Sequence, residues 1–171
     1  MTSEHIITGA LDRYERPLIG YAKEITGDLE AARDAVQETF LRLSRQDVLA
    51  LEPRLRPWLF LVCRNCALDH VRKVVKFSAK PGEETDCPSE DPSPDARAMA
   101  AEEAGRLHML VARLPRQQRE LVRLKFEAGL SYKEMAEALQ TSVSTVGAQL
   151  HEAMQTLRRQ WNRDTTEAAA S

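Results

Sequence analysis

The sequence predicts an all-α fold made of two small helical domains joined by a flexible acidic linker. Three observations carry that expectation. Apolar residues recur at three- or four-residue steps along almost the whole chain, and no run alternates as a strand would. Charge is partitioned: residues 1–78 sum to +1, residues 79–104 to −6 and residues 105–163 to +5, within a chain of net charge −2. Overlapping the acidic strip, residues 78–94 hold four prolines, one glycine and few apolar side chains. Such a segment cannot bury enough surface to offset its chain entropy, so it reads as a tether. An acidic tether lowers the whole-chain pI while leaving each flanking body free to approach phosphate.

The elements follow in chain order. Leu11, Tyr14, Leu18, Tyr21 and Ile25 mark one face of a first helix, which Pro17 should bend or interrupt because it lacks an N–H. Gly27 stops that helix, and Asp28 caps a second one reaching about Leu43. Its inner side holds Ala32, Ala35, Val36, Thr39, Phe40 and Leu43. A polar, proline-containing stretch occupies 44–56, and Pro57 then suits the first turn of a long helix to about Lys76. Helical pattern resumes near Ala96 and runs to about Leu114. Pro115 opens a helix over 116–128 that Gly129 closes. Ser131-Tyr-Lys-Glu134 reads as a capping box for a short helix ending near Leu139. Residues 140–142 make a tight turn, 143–161 form the last helix, and 162–171 are expected to fray. The expected domains are therefore 1–77 and 97–163, with the linker at 78–96 and a disordered tail at 164–171.

Several function classes are excluded at this level. The N-terminus has no basic and apolar leader, and the longest strongly apolar run, 58–63, is far short of a membrane span. Three cysteines without secretory context argue for free thiols in a reducing compartment, so the chain is expected in the cytoplasm. The histidines at 5, 70, 108 and 151 are scattered, and there is no glycine-rich phosphate loop. No nucleophile with a base and an orienting group can be assembled, so neither an enzyme, nor a cofactor, nor a small-molecule substrate is expected.

The C-terminal half contains a helix-turn-helix pattern. Leu130, Met135 and Leu139 offer an apolar side, Ala136 is small where a second helix would cross, and Val143, Val146 and Leu150 answer from that helix. Its N-terminal residues would face base edges in a major groove: Ser142, Ser144, Thr145, Gln149 and His151. Lys133, Arg116, Arg119, Arg123, Lys125, Arg158 and Arg159 could meet phosphates. The alternative is a plain helical hairpin.

In the N-terminal half, the long helix separates two faces. Leu59, Phe60, Cys63, Cys66, Ala67, Leu68, Val71, Val74 and Val75 share an apolar side. Asn65, Asp69, Arg72, Lys73 and Lys76 share the other, with Trp58 projecting at the N-terminal end. A basic stripe with an amide and an aromatic suits unpaired DNA, the bland alternative being a solvated surface with Trp58 half buried. Cys63, Cys66 and His70 fall on one side, but a fourth metal ligand is missing and small thiols are ordinary core residues.

Three stretches carry a resemblance: Gly27-Asp28 with Asp34-Ala-Val-Gln37-Glu38-Thr-Phe40-Leu-Arg42; Pro57-Trp58-Leu-Phe60 with Arg64-Asn65-Cys-Ala-Leu68-Asp69 and Arg72; and Leu114-Pro115 with Arg119, Gly129-Leu-Ser131-Tyr-Lys-Glu134-Met-Ala136, Ser142-Val-Ser-Thr145-Val146 and Leu157-Arg158. In that order they resemble the extracytoplasmic-function (ECF) branch of bacterial RNA polymerase sigma factors. The resemblance implies the family's domains two and four without the domain between them. It implies that Asp34, Gln37, Glu38 and Arg42 meet the clamp coiled coil of the polymerase largest subunit, and Leu41 falls on the same outward side of the helix. It implies that Trp58, Asn65, Arg72, Lys73 and Lys76 serve the minus-ten element, with Asn65 facing a flipped base. It implies that Lys133, Ser142, Ser144, Thr145, Gln149 and Arg158 serve the minus-thirty-five element, while this domain also touches the polymerase flap. The free linker would permit an anti-sigma protein to clamp both domains. One departure stands out: Gly147, Ala148, Gln149 and Glu152 occupy positions where the family usually carries basic residues. The competing reading is a helix-turn-helix regulator, or a degenerate sigma-like protein, that does not recruit polymerase.

Overall fold

The computed structural model describes residues 2–77 and 98–170, all helix, turn or loop, with no strand among them. The expected tether and the third cysteine, Cys87, lie outside the described residues.

Helix α1 runs from Ser3 to Thr26 without a break, so the interruption expected at Pro17 does not occur. The proline removes one backbone donor, but Ala10 before it and Leu18, Tyr21 and Ala22 after it are all buried. Packing on both sides outweighs the lost bond. The helix also begins eight residues earlier than the periodicity suggests, adding Ile6 to the core. Gly27 ends α1 in the left-handed region at φ 72°, its N–H donating to the Lys23 carbonyl at 2.8 Å. Asp28 then caps α2 (Leu29–Leu43), its carboxylate accepting from the Ala31 N–H at 2.8 Å.

The polar, proline-containing stretch at 44–56 is partly helical: α3 (Val48–Leu51) and a 3-10 turn (Glu52–Arg54) lead into α4 (Leu55–Phe77). Asp47 caps α3 through the Ala50 N–H, and buried Val48 pins it. Local capping and one apolar anchor are signals too short for a periodicity reading to register. Leu18, Leu43, Leu59, Phe60 and Cys63 form the centre of this first bundle, with the Tyr21 and Phe60 rings edge-on at 5.5 Å.

The second body comprises α5 (Ala98–Ala112), α6 (Arg116–Phe126), α7 (Tyr132–Ala138) and α8 (Val143–Ala169). The capping box at the start of α7 is complete: Ser131 Oγ accepts from the Glu134 N–H at 3.2 Å, and Glu134 accepts from the Ser131 N–H at 2.8 Å. The frayed tail expected after Asn162, and the disordered one from 164, are corrected, because α8 continues to Ala169. Residues 162–169 hold no glycine or proline, the alanines there favour helix, and the Thr165 and Thr166 hydroxyls bond back to the carbonyls of Trp161 and Asn162 at 2.8 Å. The Arg106 guanidinium lies over the Trp161 ring at 4.8 Å, tying α5 to α8.

The two bodies lie against each other. Arg56 forms a two-pronged pair with Glu134 at 2.9 and 2.7 Å, Arg54 pairs with Glu137, Arg64 with Glu120 at 2.8 Å, and Arg123 with Glu24 at 3.0 Å. The Tyr21 hydroxyl donates to the same Glu120 carboxylate. Tyr21 is consequently held well above its ordinary pKa, first by burial and then by the adjacent carboxylate. For Glu134, burial works to raise the pKa, but the bonds from Arg56 and Ser131 outweigh it and the net shift is downward.

Candidate polymerase and nucleic-acid interface

On α2, one helical face is buried and the opposite one carries Asp34, Gln37, Leu41 and Arg42 to the surface. Glu38 is half-buried and accepts from Arg42 Nε at 2.9 Å, an i,i+4 pair that draws the patch together. Leu41 is 48% exposed in the middle of this polar set. Beside it, an open groove between α1 and α2 is lined by Ile7, Leu11, Ile19, Val36, Phe40 and Leu41, with Glu15, Arg33 and Gln37 also on its wall. The sequence places Leu11 on the same face of the helix as Leu18 and Tyr21, and its periodicity does not reveal this groove. Its signal was available: Ile7, Leu11 and Ile19 form a second apolar row on α1.

Along α4, Asn65, Asp69, Arg72, Lys73 and Lys76 are all exposed, so the expected ridge exists. Trp58, Asn65 and Arg72 recur every seven residues and therefore share one stripe about 21 Å long. Arg72 is held by Asp69 at 3.2 Å across a solvated pair. Trp58 does not project as expected; it is half-buried and packs on the core. Val74 and Val75, placed by the wheel on the inner side, are exposed instead, as is Phe77 at 90%. The last turns of α4 extend past the bundle, leaving nothing among the described residues for them to pack on. Phe77 was missed: a single aromatic after a basic run has no periodicity to reveal it.

The helix-turn-helix is formed by α7 and α8. Gln140 supplies a positive φ of 53° in the turn, a conformation that the short connection demands of a non-glycine residue. Val146, Leu150, Ala153 and Leu157 face inward against Leu130, Met135, Ala136 and Ala138. Val143, expected among the packing residues, is 48% exposed because it opens α8 one turn before the buried stripe begins. Lys133, Ser144, Thr145, His151 and Arg158 are exposed. Ser142 is the N-cap: its Oγ accepts from the Thr145 N–H at 3.1 Å and lies 2.7 Å from Thr145 Oγ1. Gln149 is half-buried and donates to Gln117 on α6 at 3.4 Å, so its amide points along the body.

Two of the arginines offered for phosphate contact are otherwise engaged. Arg123 is buried and bonded to Glu24 and Glu127, and Arg119 donates to the Ala112 carbonyl at 3.0 Å. The thiol reading also weakens. Burial pushes Cys63 up to about 12 and raises Cys66 as well, the opposite of what a reactive thiolate needs. Among the described residues no group of three or more His, Cys, Asp or Glu could hold a metal ion. Nor is any described helix long and apolar enough to cross a membrane.

Gly147 sits inside α8 with a Tyr132 ring carbon 3.7 Å from where a Cβ would stand, an ordinary contact. Gly147→Ala is therefore expected to stabilise the chain by about 0.5–1 kcal/mol, read as a higher midpoint in thermal denaturation.

A helical body with an outward acidic-amide patch and a basic ridge, joined to a helix-turn-helix body, defines a two-part nucleic-acid-binding protein. Two family models match it in that order, sigma-70 region 2 over residues 10–76 and sigma-70 region 4 over residues 104–157. The ECF RNA polymerase sigma factor SigE of Mycolicibacterium smegmatis is 30% identical over 152 residues, covering 88% of this chain and 59% of that protein. SigL of Mycobacterium tuberculosis, also an ECF RNA polymerase sigma factor, is 30% identical over 149 residues, covering 86% of this chain and 84% of its own. The solved structure of CnrH in complex with the cytosolic domain of CnrY shares the fold at a TM-score of 0.61, with 22% identity over 92% of this chain and 88% of that one. The chain belongs to the ECF RNA polymerase sigma factors.

Proposed function

We propose that this chain is a non-catalytic initiation subunit that binds core RNA polymerase and directs promoter recognition and opening. The observation that carries this reading is the joint exposure of the α2 patch and the α4 ridge on one bundle, ahead of a helix-turn-helix. Asp34, Gln37, Glu38, Leu41 and Arg42 contact the clamp coiled coil, and the neighbouring α1–α2 groove receives apolar side chains from it. Asn65 reads an unpaired base of the minus-ten element while Arg72, Lys73 and Lys76 follow the backbone. Phe77 is better placed than Trp58 to stack on a base.

The second body reads the minus-thirty-five element through Ser144 and Thr145, with Lys133 and Arg158 on phosphates. Ser142 acts there as the cap that shapes the reading turn, and Gln149 buttresses it. The work is done in the cytoplasm, where core polymerase and promoter DNA meet. An anti-sigma protein would find both bodies presented in one compact unit.

Run-off transcription with core polymerase on a promoter library tests this reading. A start site that depends on the added chain is the expected result. Failure to co-purify with core, together with no dependent start, would leave a helix-turn-helix regulator that does not recruit polymerase.

A further inference from the structure

The first body leaves two apolar surfaces uncovered, and they are of opposite shape. One is concave: the groove between α1 and α2 holds about 470 Å³ and is lined by Ile7, Leu11, Ile19, Val36, Phe40 and Leu41. The other is convex. The last turns of α4 stand clear of the bundle, with Val74, Val75 and Phe77 at 52%, 59% and 90% exposure. Val74 and Phe77 lie three residues apart and so share one face, the spacing with which a helix anchors itself in an apolar groove. Apolar surface gathered in this way is unfavourable in water and marks a place where something docks.

Charge is matched on the same two surfaces. Beside the groove stand Glu15, Asp34 and Glu38, together with Arg33 and Arg42. Both arginines are engaged, Arg33 with Glu30 at 3.0 Å and Arg42 with Glu38 at 2.9 Å. Glu15 and Asp34 have no ion-pair partner among the described residues. At the end of α4, Lys73 and Lys76 are interleaved with the exposed valines and phenylalanine, and they too lack an ion-pair partner among the described residues. An apolar, cationic helix end thus complements an apolar, anionic groove.

The two cannot meet within one chain. Ala67 is the last buried residue of α4, and at 1.5 Å per residue the continuous helix carries Phe77 about 15 Å beyond it. Its own end therefore points away from the bundle that holds the groove. Nor are the surfaces covered by the second body: the seam between the bodies runs through Tyr21, Glu24, Arg54, Arg56 and Arg64 and uses neither.

We propose that free chains associate head to tail, the α4 end of one copy seated in the α1–α2 groove of another. Val74 and Phe77 enter the groove, and Lys73 and Lys76 lie against Glu15 and Asp34. Such a contact is heterologous: each copy has one groove and one helix end, so association closes in a reciprocal pair or continues as a chain. The contact is small, which places it among weak encounters with a Kd of about 10 to 100 µM. The self-association stands without the sigma-factor reading. Its consequence for transcription rests on that reading: one copy's polymerase patch and another's basic ridge are covered together, so crowded free chains are a reserve.

Sedimentation equilibrium of the full chain tests this. Between about 5 and about 500 µM, the weight-average mass of the wild type should climb from monomer towards dimer or beyond. Val74→Ser with Phe77→Ser should weaken association at least about 100-fold, since a buried phenylalanine by itself contributes roughly ten- to hundredfold. Leu41→Lys should weaken it similarly by setting a cation against Lys73 and Lys76. All three positions face solvent, so circular dichroism melting should stay close to that of the wild type. Mixing the two variants should restore one junction, because the first keeps an intact groove and the second an intact helix end. The product should be a 1:1 pair and nothing larger. A wild type that stays monomeric throughout, variants that associate as it does, or a mixture that fails to pair would each overturn the proposal, whatever transcription shows. A chain that associates as described yet supports no run-off transcription would instead overturn the sigma-factor reading.

Discussion

Charge reversal by Asp34→Lys with Glu38→Lys is expected to weaken binding to core polymerase by about 100-fold or more, because it replaces attraction with like-charge repulsion at the centre of a docking patch. The fold should survive it. Asp34 is exposed and Glu38 pairs with its neighbour Arg42 through a side chain about half in solvent, so neither fills the bundle's interior. What changes is local: the 2.9 Å pair to Arg42 is lost and three positive charges, at positions 34, 38 and 42, stand at one-turn steps. The α1–α2 groove keeps its lining of Ile7, Leu11, Ile19 and Phe40, so any residual affinity reports the apolar share of the interface. Co-sedimentation with core enzyme, alongside circular dichroism melting, separates the two effects. Full affinity in a folded variant would move the polymerase contact away from α2.

Removing the basic ridge should act on DNA alone. Arg72→Ala, Lys73→Ala and Lys76→Ala together are expected to reduce affinity for minus-ten single strand about 10- to 100-fold at 0.1 M salt. The slope of log affinity against log salt should shrink by about two, since single strands release about 0.7 counterion per neutralised phosphate. Arg72 must leave Asp69 to reach a phosphate, but that pair is 74% and 52% exposed and costs little to break. All three side chains stand in solvent, so the melting temperature should stay within a few degrees. Asn65→Ala should behave differently, lowering affinity for the preferred sequence while leaving the salt slope unchanged. A slope unaltered by the triple substitution would make the ridge an ordinary solvated face.

Several elements were legible because their causes are local. Asp28 and Ser131 cap helices through oxygens three residues from the N–H they bond, and Gly27 and Gly129 take positive φ where the chain must turn. The α2 patch was legible for a related reason, since a helix with one strongly apolar face presents the remainder outward. Other features depended on distant partners. Pro17 reads as a break, yet α1 passes through it because Leu18 and Tyr21 are buried just beyond. Val74 and Val75 read as the end of the apolar side of α4, yet they stand in solvent because α4 outlasts the bundle. Arg123 reads as a phosphate ligand, yet it is buried opposite Glu24, 99 positions earlier in the chain.

The order of amino acids by itself determined that this chain would be helical, where most of its helices start and stop, which faces look outward, and to which family it belongs. These follow from spacings of a few residues, over which backbone geometry is nearly invariant. Only the tertiary structure decided that the two bodies close on each other, which arginines are taken up by the seam, and that the groove between α1 and α2 lies open beside the acidic-amide patch. The reason is physical. An ion pair such as Arg56–Glu134, with 77 residues between its partners, leaves no periodic trace in the chain and exists only once both helices are in place.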